Sequence, residues 1–289
     1  MKHIKFNKTL CGVDFLLNVI EVDGSKNNII SQELHTADFF QIVFINQAEG
    51  NLLLNDQSIR LKDNQVLFIS QNQKYQWHVK SEMFKATFLV FQEDFLNDFF
   101  SDQFFTYRML YFYQTEFPLF IEIANETKQQ FTGQLEEIKK ELMQPQTDSV
   151  HLIRSILYYL LAKLNRAYTS EYHISASDMN ENMAFQFRKL VETHIRSKQR
   201  VDDYVDLIKM SRITLNKVVK KQFNQTISEF LKSRLTHEIK MELIYSNKSI
   251  DELSLDFNFS EPNHLSRFFK AQTAYTPTDY RTNYQNGSL

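Results

Sequence analysis

The sequence has 289 residues, 43% of them hydrophobic, and one cysteine, Cys11. That apolar content supports a sizeable core and excludes a disordered chain. A single cysteine excludes an internal disulfide or a thiolate metal cluster and fits a reducing compartment. The formal charge of -2 hides an asymmetry: residues 1–182 carry 16 Lys and Arg against 23 Asp and Glu, whereas residues 183–289 carry 17 against 12. The back of the chain is therefore suited to an anionic partner. The apolar run at Phe15 to Ile20 is broken by Asn18 and preceded by Asp14, unlike a secretory leader. No run approaches the roughly 18 apolar residues of a membrane span, so a soluble cytoplasmic protein with no membrane partner is expected.

From about residue 10 to 92 the chain reads as short strands: "FFQIVFI" (39–45), "NLLLN" (51–55), "QVLFIS" (65–70) and "FKATFLVF" (84–91), separated by polar turns. Strands at this spacing predict an antiparallel barrel or sandwich. Glycine occurs only 5 times, so asparagine is expected to take some left-handed turn positions. Beyond Phe95 the pattern turns helical. "FTGQLEEIKKELMQ" (131–144) is amphipathic, and the segment 149–168 places Val150, Ile153, Leu157, Leu160 and Leu164 at steps of three and four. That stripe packs a helix on its own barrel, forms a dimer seam, or both. Residues 169–183 are polar and aperiodic and read as a linker, dividing the chain into domains at 1–168 and 184–289.

The basic half reads as helix almost throughout, with clear start signals. Thr226 with Glu229, and Ser249 with Glu252, make capping boxes. Ser211 and Ser260 are expected N-caps, and Thr276-Pro277 starts the last helix. Short helix, tight turn, second helix is the helix-turn-helix pattern. It occurs twice, around the turns at 210–212 and 258–260, joined by a long helix over 226–246. The second helix of each pair has two faces. Ile213, Asn216, Lys217 and Lys220 fall on one side of the first, preceded by Arg212; Asn263, Ser266, Arg267 and Lys270 repeat the spacing in the second. Arg and Lys can donate to guanine O6 and N7, and Asn can pair with adenine. An ordinary solvated face has the same composition, but two such stripes behind short capped helices in a basic half favour a reader of double-stranded DNA.

Residues 184–281 resemble the DNA-binding region of AraC-type (AraC/XylS) transcription regulators. The likeness is carried by "SRITLNKVVKKQFNQTISEFLKSRLTHEIKMELI" (211–244) and "SIDELSLDFNFSEPNHLSRFFKAQTAYTPTDYR" (249–281). Asn224, Asn258 and Ala274 stand where the family usually has Gly; positive φ at Ala274 would be strained. The resemblance implies base contacts from Ile213, Asn216 and Lys217 and from Pro262, Asn263, Ser266 and Arg267. Lys220, Lys221, Arg234 and Lys270 would serve phosphates or structure, and Arg234 and Arg281 are open to pairing with carboxylates. Residues 35–79 resemble, more loosely, the cupin-like sensor barrel of the same regulators. The implied fold is α+β, with an N-terminal antiparallel cupin-like β-barrel and dimerisation helices ahead of an all-α domain with two helix-turn-helix motifs.

Metal-binding cupins show a His-x-His pair, whereas His35 is followed by Thr36 and Ala37. With His78 alone further on, no metal or other cofactor is expected. His35, Phe40, Trp77 and His78 are instead the candidates to face a small effector, a sugar or another metabolite. Ile153, Leu157, Leu160 and Leu164 are the candidate homodimer seam. The expected function is a ligand-responsive regulator, an activator that would also contact RNA polymerase. A ligand-independent regulator whose barrel only dimerises, and a cupin enzyme with an appended helical domain, are the alternatives.

Overall fold

The computed structural model describes residues 2–4, 16–24, 32–55, 57–92, 95, 109–113, 117–174 and 183–286. Cys11 and most of the expected linker, 175–182, lie outside them. The chain divides into two compact units, Met1–Ser175 and Ala176–Leu289.

The first unit is built on two five-stranded sheets. One has the order β1 (Lys2–Ile4), β3 (His35–Ala37), β8 (Tyr75–Val79), β5 (Gly50–Leu54), β6 (Gln57–Arg60). The other runs β10 (Phe120–Glu122), β7 (Gln65–Ile69), β4 (Phe40–Gln47), β9 (Lys85–Phe91), β2 (Leu17–Asp23). Pairing is antiparallel except between β1 and β3. This is the expected antiparallel architecture, its strands divided between two sheets rather than closed into one barrel. A Cβ at Gly50, where φ is +139°, would lie 2.1 Å from the His78 carbonyl oxygen. Only glycine lets β5 approach β8 there.

Alternation along β4 explains why "FFQIVFI" reads as a continuous apolar run. Val43 and Ile45 face the space between the sheets and join a core with Leu52, Leu67, Ile69, Trp77 and Phe84. Phe40 and Phe44 occupy the opposite face of the strand, and that face is buried too, under helices. A strand covered on both faces loses its polar alternation. The covering helices are α1 (Leu110–Tyr113), α2 (Asn125–Met143) and α3 (Ser149–Glu171). Phe68 stacks on Tyr111 at 4.1 Å and meets Tyr168 edge-on at 5.8 Å; Phe40 meets Phe112 at 4.5 Å and Phe44 meets Phe131 at 5.9 Å. The buried phenols are satisfied by backbone carbonyls: Tyr111 donates to Leu161, Tyr168 to Pro118 and Tyr172 to Phe120. The first bond ties α1 to α3, and the other two tie the end of α3 to β10 and the segment entering it. Burial raises the Tyr168 phenol far above its ordinary range. Burial, aided by the nearby charges of Glu171 and Glu122, pushes Tyr172 up to about 12.

The second unit contains α4 (Met183–His194), α5 (Val201–Ile208), α6 (Arg212–Phe223), α7 (Ile227–Tyr245), α8 (Ile250–Asp256), α9 (Pro262–Thr273) and α10 (Pro277–Gln285). Both expected capping boxes form, at Thr226–Glu229 and Ser249–Glu252, and Ser211 caps α6. Ser260 does not cap α9: the N-cap is Glu261, and the Ser260 hydroxyl bonds His264 Nδ1 at 2.6 Å instead. Pro262 at the first helical position supplies its own φ and has no N–H to satisfy there.

Asparagine does replace glycine in the turns. Among the described residues eight non-glycine positions have positive φ, and Asn55, Asn64, Asn72, Asn224 and Asn258 are five of them. Ala274, at the end of α9, is another, with φ 69°. Its Cβ makes that left-handed conformation costly. Ala274→Gly is therefore expected to raise the stability of this unit by about 0.5–1 kcal/mol, the relief of strain exceeding the added unfolded-state entropy. Urea unfolding checks it, and a variant no more stable than the parent would show the turn to be unstrained.

Candidate nucleic-acid interface

Each helix-turn-helix pair packs by one face of its second helix. In α6, Leu215, Val219 and Phe223 are buried; in α9, Leu265 and Phe269 are. The opposite faces are open. Arg212, Ile213, Lys217 and Lys220 are exposed on α6, with Ile213 at 72%, an unusual exposure for an isoleucine. On α9, Asn263, Arg267 and Lys270 are exposed, and Pro262 and Ser266 are half-buried. Asn263, Ser266, Arg267 and Lys270 line an open groove with Glu261 and Thr276. Glu261 went unnoticed in the sequence because Ser260 looked like the cap. It places a carboxylate, a potential acceptor for cytosine N4, among the donors.

One expected reader has other work. The Asn216 side chain is half-buried, and its Oδ1 accepts the Ile227 N–H at 3.0 Å, in the first turn of α7. Bidentate pairing with adenine needs that oxygen. Asn216 in this arrangement ties the reading helix to the long one, leaving only its amide N–H groups to offer.

Arg234 of α7 and Arg281 of α10 serve structure. Arg234 Nε donates to Glu192 Oε2 at 2.6 Å and Nη2 to Glu238 Oε1, with Arg234 13% exposed and Glu192 1%. Arg281 pairs with no carboxylate among its described bonds: it donates to the backbone carbonyls of Leu243 and Lys248, at 3.0 and 2.8 Å. Those oxygens lie at and beyond the C-terminal end of α7, where a cation is favoured.

Residues 204–283, from α5 into α10, match the helix-turn-helix domain family. The match spans both reading helices and the long helix between them. Over these residues the chain carries a helix-turn-helix domain. The HTH-type transcriptional activator RhaS of Yersinia pestis is 20% identical over 256 residues, covering 86% of this chain and 88% of its own. The HTH-type transcriptional activator RhaR of Mannheimia succiniciproducens is 21% identical over 251 residues, covering 87% of each chain. The structure of ToxT from Vibrio cholerae with an unsaturated fatty acid bound is 16% identical, covers 92% of this chain and 94% of its own, and has a TM-score of 0.41.

The four effector candidates have different surroundings. Trp77 lies in the inter-sheet core, edge-on to Phe84 and Phe88 at 5.5 and 5.8 Å. His78, its neighbour on β8, is exposed, as strand alternation requires. Phe40 is 1% exposed, beneath the helices. His35 is buried at the start of β3, where Nδ1 bonds the Glu33 carbonyl at 2.6 Å and the ring stacks on Tyr75. The polar group that sequence reasoning missed is Gln41. It is 4% exposed, alternates with Val43 and Ile45 toward the inter-sheet space, and has an Nε2 with no hydrogen-bond partner. Burial raises the Tyr75 phenol, an effect that the nearby Gln41 side chain only partly offsets. Within a continuous apolar run a lone Gln gives no sign of which face it takes. Among the described residues no group of three or more His, Cys, Asp or Glu could hold a metal ion, and no helix is long and apolar enough to cross a membrane.

The α3 stripe is settled toward its own unit. Ile153, Leu157, Leu160 and Leu164 are each 0% exposed within the single chain. What α3 leaves open is a different face, with Leu152, Tyr158 and Tyr159.

The capping carboxylates give the second unit an acid limit. The Thr226 N–H and hydroxyl hold the Glu229 carboxyl below its ordinary value, and those of Ser249 do so for Glu252. Burial opposes ionisation of Glu242, but bonds from Arg196 and Lys248 outweigh it and depress it too. A depressed folded value contributes stability above the unfolded value, about 4.3, that is lost as pH falls through the folded one. The melting temperature of the full chain is expected to fall between about pH 5 and 3, and less steeply in Glu242→Gln. Identical pH profiles would show that Glu242 is not held in its ion pairs in solution.

Proposed function

We propose that this DNA-binding transcription regulator reads two successive major-groove openings with α6 and α9, and activates transcription in response to a small molecule held by its first unit. One observation carries the reading: both reading helices turn a stripe of cations to solvent, joined on α9 by the Asn263 amide, opposite a buried apolar face. Arg212, Ile213, Lys217 and Lys220 form the first contact set, with Asn216 in a lesser part. Pro262, Asn263, Ser266, Arg267 and Lys270 form the second. The long helix supports the spacing: 19 residues of α7 span about 28 Å at 1.5 Å per residue, close to the roughly 34 Å between groove openings on one DNA face.

Activation is supported by the relatives named as transcriptional activators, and RNA polymerase is the partner it entails. The effector is supported by Gln41 and Tyr75, polar groups inside an otherwise apolar inter-sheet core. A hydroxyl-bearing metabolite such as a sugar would satisfy the amide. Homodimerisation is proposed through the exposed α3 face around Leu152 and Tyr159, in place of the buried stripe. No cofactor or catalytic group enters the reading, and the linker expected at 169–183 is proposed to start after α3, which ends at Glu171. Selection from a randomised duplex library by the full chain, at about 150 mM salt, tests the proposal. Two boxes about one helical turn apart are expected; retention without sequence preference would overturn it.

A further inference from the structure

The two helix-turn-helix pairs are joined by α7, but they are also joined by a second route. The segment between α4 and α5, residues 195–200, precedes the first reader in sequence and touches the second pair in space. Gln199 Nε2 donates to the Phe257 carbonyl, and Asn258 Nδ2 donates to the Ser197 carbonyl at 3.2 Å. The same segment carries Arg196. Its Nε and Nη2 donate to Glu238 Oε2 at 3.0 and 2.8 Å, its Nη1 to Glu242 Oε1 at 2.8 Å, and its guanidinium lies 5.2 Å from the Phe257 ring centroid.

One planar fork therefore holds two carboxylates a turn apart on α7 while covering the ring at the end of α8. The chain of charge continues on both sides. Glu238 also receives Arg234, which holds Glu192 of α4; Glu242 also receives Lys248, which holds Asp256 of α8 at 2.7 Å. Seven charged side chains run from the first pair's supporting helix to the second pair's first helix. A single-helix connection bends and twists about its axis; a second, parallel attachment removes that freedom. An isolated exposed ion pair would do little. A bidentate arginine in a network, backed by an aromatic face and two backbone bonds, has the geometry to fix an angle.

We propose that the 195–200 segment is a strap that sets the angle between the two reading helices, with Arg196 as its positioning residue, and so makes the regulator selective for the spacing between its two DNA boxes. This rests on the two-groove reading above. Two inserted base pairs turn the second box by roughly 70° about the DNA axis, at about 10 base pairs per turn. A rigid pair cannot follow that rotation, whereas a loosened pair can.

The test uses the full chain and the duplex recovered from the random library, remade with zero, one or two base pairs inserted between the boxes. The parent is expected to lose at least tenfold in affinity on two insertions, and Arg196→Gln no more than about threefold, with specific binding at the optimal spacing retained. Arg196→Lys, which keeps the charge but cannot hold both carboxylates as a fork, should fall between them. Equal losses for Arg196→Gln at every spacing would make the residue a simple phosphate contact or stabiliser and overturn the proposal. So would an unchanged spacing profile. Should Arg196→Gln fail to fold by circular dichroism, Gln199→Ala carries the same comparison.

A second measurement needs no DNA: spin labels at Lys221→Cys and Gln272→Cys in a Cys11→Ser background. A narrow distance distribution in the parent that broadens in Arg196→Gln is expected, and equal widths would overturn the strap. A library yielding no motif would remove the two-groove reading, while the label distances would still decide whether Arg196 fixes the angle.

Discussion

Lys217→Ala combined with Arg267→Ala is expected to abolish sequence preference while leaving the chain folded. Each side chain is exposed on its reading helix, so truncation removes no core contact. A cation bidentate to guanine is worth about 1–3 kcal/mol of discrimination. The two lie on different helices facing different boxes, so their losses should add, to about 2–6 kcal/mol. That is a fall of between roughly 30-fold and 10⁴-fold in specific affinity, comparable to the typical margin of specific over non-specific binding. The measurement is competition binding of the recovered duplex against scrambled duplex at fixed salt. Each single variant should relax preference in its own box alone. A uniform loss on specific and scrambled DNA alike would show that these cations face phosphates, and the bases would then be read by Asn263, Ser266 or Glu261.

How much of this was legible in the sequence depended on whether a pattern has one physical solution. The caps did. A Thr three residues before a Glu ahead of an apolar run satisfies two orphan N–H groups in one way, and Thr226 and Ser249 form the expected boxes. Asparagine in the glycine turns was legible for the same reason, since few residues tolerate positive φ. The stripe of Ile153, Leu157, Leu160 and Leu164 was not, because 3.6-residue spacing reports an apolar face and not what covers it. In the structure the covering surface is the chain's own sheet and helices, and all four are fully buried. The surroundings of the effector candidates were hidden for other reasons. Trp77 and His78 are adjacent, and strand geometry sends neighbours to opposite faces. Phe40 lies on a strand buried on both sides, where no alternation tells which face is which. Asn216 carried a reader's chemistry at a reader's spacing, but its partner Ile227 is eleven residues away and was invisible to any helical periodicity. The strap was hidden for the same reason, Arg196 and Glu242 being 46 residues apart.

The largest loss of stability is expected from Arg234→Ala. Glu192 is 1% exposed and is held by Arg234 at 2.6 Å, and the same guanidinium reaches Glu238. Transferring such a carboxylate from water is costly, and its arginine is what offsets the cost. Removing one partner of a buried pair costs about 3–5 kcal/mol, a large part of the 5–15 kcal/mol that holds a typical domain folded. For a unit of about 100 residues each kcal/mol moves the melting temperature by about 4–8 °C, so a fall of at least about 12 °C is expected at neutral pH. DNA binding should fail with it, on all sequences alike, because the unfolded fraction rises. Arg234→Lys should not rescue fully, since an ammonium cannot fork between Glu192 and Glu238. Arg234→Leu with Glu192→Leu should recover most of the loss: it leaves no buried carboxylate at 192, and Glu238 keeps Arg196 at 2.8 Å. Calorimetry of the four proteins separates the possibilities. A single variant within about 1 kcal/mol of the parent would place the pair among solvent-screened surface ion pairs. A double variant as unstable as the single would mean that the arginine acts by packing α7 against α4 rather than by neutralising Glu192.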